Sequence, residues 1–372
     1  MQSVYYIIPT TGIGGAEKRF IELYCYLQQN EKQFDFRLII SEKLYSDIKD
    51  IPEIYKVLQP LESKIIRYNI DMTGSILRSQ KELYSFVCEH TSTNDILHFI
   101  LSFPTFIFPL KHKKTIYSLT ESSLQNVNIK GRLLYMINAL RAKYIDILDP
   151  AVHKKIGQYF FFKRKRILLT AGSFVDSNVF KPLPDHKKEN WFVFLGRFFF
   201  VKQVVELLHT LPEVCRKLDA SGITGYKFIF LGFGQQGNEI LSIMRLPEYR
   251  DLPIEIKMTY TPEDVLARSK VFFSLQLHNN YPSKSLLEGM AAGNIPLVTD
   301  VGATRNIAHP AFSYYVPEIF SATDIGSQLV NILSLDDEAL QLKMKAAREF
   351  VIENFHISAS ASYYTNLYKK LI

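Results

Sequence analysis

The stretch Asn279-Asn280-Tyr281-Pro282-Ser283-Lys284-Ser285-Leu286-Leu287-Glu288-Gly289-Met290-Ala291-Ala292-Gly293-Asn294-Ile295-Pro296 runs on to Thr299 and then Asp300-Val301-Gly302. A polar loop leads into a helix, expected over Ser285–Ala292, that carries one interior glutamate. Small residues let that helix pack closely, and Gly293 ends it. The apolar runs Val271–Leu275 and Ile295–Thr299 on either side read as strands. Strand, helix and strand in this order make a βαβ unit, so this part of the chain belongs to a parallel sheet. Backbone N–H groups around Ser283–Leu287 would face a phosphate at the helix start. Glu288, one turn in, can accept the two hydroxyls of a ribose; a buried glutamate satisfied by a neighbour is the other reading.

Upstream the same rhythm recurs. Trp191–Leu195 reads as a strand that ends in Gly196-Arg197, and Lys202 opens a helix to Leu218 whose apolar residues recur at three and four positions. Two fixed cations near a helix start at the carboxyl edge of a sheet can neutralise a diphosphate leaving group. Two solvated cations flanking a turn is the bland alternative. The strand Tyr226–Leu231 runs into Leu231-Gly232-Phe233-Gly234, which alone is a tight turn. The helix Gly237–Met244, the strand Ile254–Met258 and the short helix Pro262–Ala267 follow, and from about Ala322 the pattern is helical.

The first half repeats the alternation independently. Ser3–Thr10 is a strand, the turn Thr11-Gly12-Ile13-Gly14-Gly15-Ala16-Glu17 follows it, and a helix covers about Ala16–Asn30. Further strands are expected at Phe34–Ser41, Asp95–Leu101, Lys114–Leu119, Ile145–Leu148 and Ile167–Thr170. Helices are expected at Ser75–Glu89 and Lys130–Lys143. The glycine turn suits either a structural turn or a phosphate at the next helix start. It is not the dinucleotide fingerprint, because Glu17 stands where the third glycine would be. The segment Gly172–Asn190, with Pro182, Pro184 and a polar run, breaks the rhythm. The α/β reading is therefore two doubly wound domains in tandem: 1–172, a linker at 173–190, and 191–356.

Composition sets outer limits on function. At 372 residues the chain suits two cores, and 47% hydrophobic with 22% charged residues is ordinary for a globular protein. The three cysteines, Cys25, Cys88 and Cys215, show no metal-ligand spacing and read as reduced thiols of a cytosolic protein. No signal peptide or spanning segment is expected. Residues 1–175 hold 24 Lys+Arg against 16 Asp+Glu, so the excess positive charge lies in the first half. Such a surplus suits an anionic partner or a plain solvated surface, and no nucleic-acid-binding motif accompanies it.

Taken in order, Gly196-Arg197…Lys202, Leu231-Gly232-Phe233-Gly234 and Ser285-Leu286-Leu287-Glu288-Gly289-Met290-Ala291-Ala292-Gly293 resemble the family 4 glycosyltransferases of the GT-B fold. The resemblance covers nearly the whole chain. It implies two Rossmann-like domains facing across a cleft, with a last helix of about 357–372 crossing back onto the N-terminal domain. It also implies a retaining transferase that takes its sugar from a nucleotide-sugar donor and needs no metal or other cofactor. By the same resemblance Arg197 and Lys202 hold the donor diphosphate and Glu288 binds the ribose. Gly196, Gly234, Asn280, Ser283, Ser285 and Leu286 complete the donor site, and Gly14 and Gly15 approach the donor from the other domain. One departure stands out: the family's first acidic residue is replaced by Asn279 or Asn280, so one carboxylate is missing. His98 matches a histidine that often lines the acceptor side, although a packed structural histidine suits the position too. Glu121 and His278 are further candidates.

The acceptor implied is a glycan or a lipid-linked hydroxyl, in surface polysaccharide or glycolipid synthesis. The helix Lys130–Lys143 and the run Tyr159-Phe160-Phe161-Phe162-Lys163-Arg164-Lys165-Arg166 combine apolar residues with cations. They suit peripheral contact with an anionic membrane at its inner face, or a core-facing helix and a buried aromatic strand. The rival to an active transferase is a catalytically weak partner subunit that keeps the fold to bind a nucleotide sugar or stabilise an active enzyme.

Overall fold

The computed structural model describes residues 1–70, 76–101, 111–119, 142–148, 150–159, 165–170, 173–184, 187–259, 261–278 and 283–372. The chain forms two compact units, Met1–Ser173 with Ile357–Ile372, and Phe174–His356.

The first unit holds, in chain order, β1 (Gln2–Ile8), α1 (Gly15–Asn30), β2 (Phe34–Ser41), α2 (Glu42–Lys49), α3 (Pro52–Leu58), β3 (Ile65–Tyr68), α4 (Ile76–His90), β4 (Ile96–Leu101), β5 (Thr115–Leu119), β6 (Tyr144–Ile147), α5 (Pro150–Tyr159) and β7 (Ile167–Leu169). Its sheet runs in the order β3-β2-β1-β4-β5-β6-β7, and every described pairing is parallel. The order reverses between β1 and β4, which makes the sheet doubly wound. Alternate residues of each strand face opposite layers. Ile7, Ile39, Leu97, Phe99, Tyr117 and Ile147 pack with Leu83 and Val87 of α4 and Ile156 of α5.

Sequence periodicity did not reveal α2, α3, β3 or α5. Ser41 ends β2 and at once caps α2, its side chain accepting from Leu44 N–H at 3.1 Å, so no loop marks the boundary. The strand β3 has only four residues, one of them the exposed Arg67.

The second unit holds β8 (Glu189–Leu195), α6 (Val204–Ala220), β9 (Lys227–Leu231), α7 (Gly237–Ile243), β10 (Ile254–Lys257), α8 (Glu263–Arg268), β11 (Ser269–Ser274), α9 (Lys284–Ala291), β12 (Ile295–Thr299), β13 (Tyr314–Val316), α10 (Ala322–Leu333) and α11 (Asp337–Phe355). The parallel order β10-β9-β8-β11-β12-β13 repeats the reversal, here between β8 and β11. On one face Phe192, Phe194, Phe228, Phe230 and Phe273 pack against α6 and α10. On the other, Val193, Ile229, Phe272 and Val298 pack against α8, α9 and α11. Pro212 lies inside α6 and cannot donate to the carbonyl of Leu208. The buried Tyr249 hydroxyl fills that vacancy, donating to Leu208 O at 3.1 Å.

Residues 173–190, expected to join the domains, lie largely in the second unit. Phe174 and Val175 are buried, Val175 bridges His356, and β8 already begins at Glu189. The last helix, α12 (Ile357–Lys369), belongs to the first unit and packs on α1. Cys25 and Cys215 are buried and Cys88 is half-buried, all free; burial pushes the Cys25 thiol up to about 12 and that of Cys215 to about 11. Among the described residues no helix is long and apolar enough to cross a membrane. Residues 130–141 and 160–164 of the two cationic segments lie outside the described residues.

Candidate functional site

The carboxyl edge of the second sheet collects the cations and glycines seen in the sequence. The strand ladder continues past the ends of β8 and β9: Gly196 N–H donates to Leu231 O at 3.0 Å, and Gly232 N–H to Lys257 O at 3.1 Å. A Cβ on Gly232 would stand 1.8 Å from Gly196 O, and one on Gly234 would stand 2.5 Å from Phe198 O. Phe198 N–H donates to Phe233 O and Gln236 N–H to Phe198 O. Only glycine lets these two loops lie backbone against backbone. Gly234 therefore serves first to bring the loop after β9 against the loop that carries the cations.

Arg197 is exposed, with its guanidinium 5.9 Å from the Phe199 ring centroid. Lys202 is half-buried; burial, then the positive charge of Arg197, pushes its ammonium down to about 8. The sequence placed Lys202 at the start of a helix, and the structure corrects this. Phe200–Lys202 is a separate 3-10 turn, Gln203 adopts a left-handed backbone, and α6 starts at Val204. The turn is fastened to the exit of β11 by Leu277 N–H donating to Val201 O at 3.1 Å. Next to it Thr299 Oγ1 accepts from Gln276 N–H at 2.7 Å and donates to Gln276 O at 2.8 Å. Arg197 and Lys202 thus stand over the point where strand order reverses, which is where doubly wound sheets bind ligands.

The helix α9 follows β11. Its N-cap residue is Ser283, whose buried Oγ makes no hydrogen bond, so the first-turn N–H groups meet no side-chain cap. Ser285 is half-buried. Leu286 is 2% exposed and packs in the core beneath the helix, which leaves its backbone N–H as the group open to a ligand. Glu288 is buried, with Oε1 3.9 Å from Lys284 Nζ one turn before it, and that ammonium lies 5.3 Å above the Phe174 ring. Close packing of α9 on the sheet needs Gly289, where a Cβ would stand 2.6 Å from the Phe272 ring. Gly293 ends the helix with φ +80°, and Asn294 N–H donates to Gly289 O at 3.0 Å. His278 is exposed; Asn279 and Asn280 lie outside the described residues, as does Glu121.

In the first unit Gly14 is the extended N-cap of α1 and Gly15 its first residue, with no side-chain cap. Nothing lies within 4 Å of a Cβ built on Gly15, so packing there does not demand glycine.

His98 does not line an acceptor surface. It sits inside β4 at 0% exposed, its Nε2 2.7 Å from Ser118 Oγ and its Nδ1 2.8 Å from the Tyr368 hydroxyl. Ser118 Oγ donates its single proton to Asp146 Oδ2 at 2.9 Å, so Nε2 is the protonated nitrogen of the ring. Burial holds the imidazole neutral, with its pKa down at about 3. Asp146, also fully buried, accepts from the Tyr363 and Tyr364 hydroxyls at 2.7 and 2.6 Å. Tyr364 in turn accepts from Arg19 at 3.3 Å, and Tyr368 shares a 2.6 Å bond with Tyr6. Burial raises the Asp146 carboxyl, against the pull of these hydroxyls and of Arg19. Sequence reading missed this hub, although an aspartate inside the apolar strand Tyr144–Ile147 signalled a buried partner set. Among the described residues no group of three His, Cys, Asp or Glu side chains is arranged to hold a metal ion.

No protein-family model matches the chain, and no curated protein sequence matches it. Solved structures do. A glycosyltransferase from Rickettsia africae ESF-5 is 15% identical with a TM-score of 0.75, the match covering 100% of this chain and 98% of that one. Anabaena HepE in complex with UDP and glucose is 11% identical with a TM-score of 0.75, each chain covered over 100%. A mutant of S. aureus TarM, in complex with fondaparinux, alpha-GlcNAc-glycerol and UDP, is 13% identical with a TM-score of 0.70, covering 99% of this chain and 100% of that one. At these identities the likeness is one of fold, and the chain has the twin parallel-sheet GT-B fold of these glycosyltransferases.

Proposed function

We propose that the chain is a retaining, metal-independent family 4 glycosyltransferase whose second unit holds a nucleotide-sugar donor. One observation carries the reading. Arg197, Lys202 and the uncapped start of α9 with Ser283 all belong to the carboxyl edge of one parallel sheet at its reversal point, with Glu288 one turn into that helix. Arg197 and Lys202 take the diphosphate, Ser283 Oγ and the N–H groups of Ser285 and Leu286 bind its oxygens, and Glu288 accepts the ribose hydroxyls. HepE and TarM hold UDP, which makes uridine the first base to try.

In the step proposed, an acceptor hydroxyl oxygen bonds to the anomeric carbon on the face the diphosphate leaves. The bond from that carbon to the phosphate oxygen breaks, and the hydroxyl proton passes to the departing diphosphate. The charge that develops on the leaving group is matched by the two cations, so stabilisation is greatest where the bond is broken. The acceptor is a glycan or lipid-linked hydroxyl, in surface polysaccharide or glycolipid synthesis. The basic first half supports peripheral contact with an anionic membrane from the cytoplasmic side.

The replacement of an acidic residue by Asn279 or Asn280 favours the second reading, a catalytically weak partner subunit that retains donor binding. A thermal-shift screen against UDP, GDP, ADP and their sugars tests the donor site. One nucleotide at a hundredfold excess over its Kd should raise Tm by about 5 °C. Arg197→Ala and Glu288→Ala should each abolish most of that shift. No shift with any nucleotide would sink the donor reading; a shift without sugar transfer or donor hydrolysis would select the partner subunit.

A further inference from the structure

Gln203 is the one non-glycine residue with positive φ among the described residues, at φ 52° and ψ 36°. That backbone brings the Cβ of an L-residue against the following carbonyl oxygen. The side chain carries a second liability: the residue is 3% exposed, and its Nε2 is buried with no hydrogen-bond partner. A residue both strained in its backbone and unsatisfied in its side chain is kept where the geometry it makes is used.

That geometry is local and legible. Gln203 N–H donates to Phe200 O at 3.0 Å and closes the 3-10 turn that contains Lys202. Leu207 N–H donates to Gln203 O at 3.0 Å and opens α6. Gln203 thus ends one helical turn and begins another, and its left-handed φ sets the angle between them. A residue held to the right-handed region would carry the turn straight into α6 and place Lys202 on the helix itself.

We infer that Gln203 is a positioning residue whose left-handed backbone keeps the Lys202 ammonium off α6 and beside Arg197 for the donor diphosphate. The inference rests on the donor site proposed above. Its test needs one readout that involves no ligand, so that the two ideas fail separately.

That readout is the titration of Lys202 itself, followed by trace labelling of its amine with acetic anhydride across the neutral to alkaline range and by peptide mass spectrometry. UDP affinity is measured by calorimetry on the same proteins. Gln203→Val, a β-branched residue that resists positive φ, should lose at least about tenfold in UDP affinity. Its Lys202 titration should move up from about 8 toward the ordinary lysine value, because the ammonium leaves both its burial and Arg197. Gln203→Gly takes this φ without a Cβ and should recover most of both properties while raising Tm. Gln203→Asn, which favours the left-handed region, should keep both properties near wild type, and Gln203→Thr, also β-branched, serves in place of valine if the latter does not fold.

A Lys202 titration that stays at the wild-type value in the valine and threonine variants overturns the inference, whatever happens to Tm. Loss of UDP affinity in Gln203→Gly with Lys202 unmoved also overturns it, since the carboxamide would then be the working group. A wild-type protein that binds none of UDP, GDP and ADP, with the Lys202 titration still following the series, upholds the positioning and defeats the donor reading instead.

Discussion

The hub of the first unit and the sheet edge of the second hold their buried polar groups in opposite ways. In the first, Tyr6, Arg19, His98, Ser118, Asp146, Tyr363, Tyr364 and Tyr368 form one hydrogen-bonded hub under α1 and α12. Both ring nitrogens of His98 and both carboxylate oxygens of Asp146 are engaged. In the second, the carboxyl edge of the sheet holds Gln203 strained and with an unpartnered amide, Ser283 Oγ without a partner, and Lys202 titrating far below an ordinary lysine. A satisfied network specifies one packing and resists change. Groups left strained or depressed at the carboxyl edge of a sheet are those that gain when a ligand arrives. The contrast separates residues that hold α12 in place from residues of the proposed donor site.

Removing the central acceptor of the hub is the harshest way to break that comparison. Asp146→Ala leaves the Ser118, Tyr363 and Tyr364 hydroxyls and the Arg19 charge without their buried acceptor, at a cost of about 3–5 kcal/mol. Trp191, the only tryptophan, lies on β8, so its fluorescence reports the second unit. Circular dichroism should show an early transition that the Trp191 signal does not follow. A single transition at the wild-type temperature would mean that the hub is not what secures α12.

Acid is the next lever, because the imidazole of His98 is held neutral. Its folded pKa of about 3 lies below the ordinary 6.5, so the unfolded chain binds the extra proton between those values. The stability this contributes is fully present above pH 6.5 and is lost as pH falls toward 3, on the order of a few kcal/mol. Urea titrations of wild type and His98→Gln across that window should differ in slope, the variant being flatter. Parallel slopes would remove His98 from the account of acid unfolding.

The smallest effect sharpens the other side of the contrast. The diphosphate favours the charged form of Lys202, so UDP affinity should fall as pH rises through about 8, by roughly tenfold per pH unit beyond it. Lys202→Arg stays charged throughout and should bind UDP with a flat profile over the same range. Equal slopes in the two proteins would show that another group governs the titration.

Much of the fold could be read from the residues because its causes are local. The βαβ rhythm, the strands Phe34–Ser41 and Ile295–Thr299, and the helix stop at Gly293 follow from periodicity and turn chemistry within a few positions. An element that follows a strand with no loop between, such as α2 after β2, or one as short as β13, left no such trace. In the site, Arg197, Lys202 and Glu288 were visible as types at a spacing, whereas the break at Gln203 was not. A glutamine carries no preference for a left-handed backbone, so only the packing of the 3-10 turn against β11 and α6 imposes it.

The sequence by itself determined two parallel sheets and the order in which cations, glycines and a glutamate meet their carboxyl edges. Those features depend on side-chain period and on backbone freedom at single residues. Tertiary structure alone decided that His98 is a buried neutral strut, for its partner Tyr368 is 270 residues away in the chain. It also decided that Lys202 stands ahead of α6 rather than on it. Burial and charge proximity are set by what packs from elsewhere in the chain, and no local pattern carries that information.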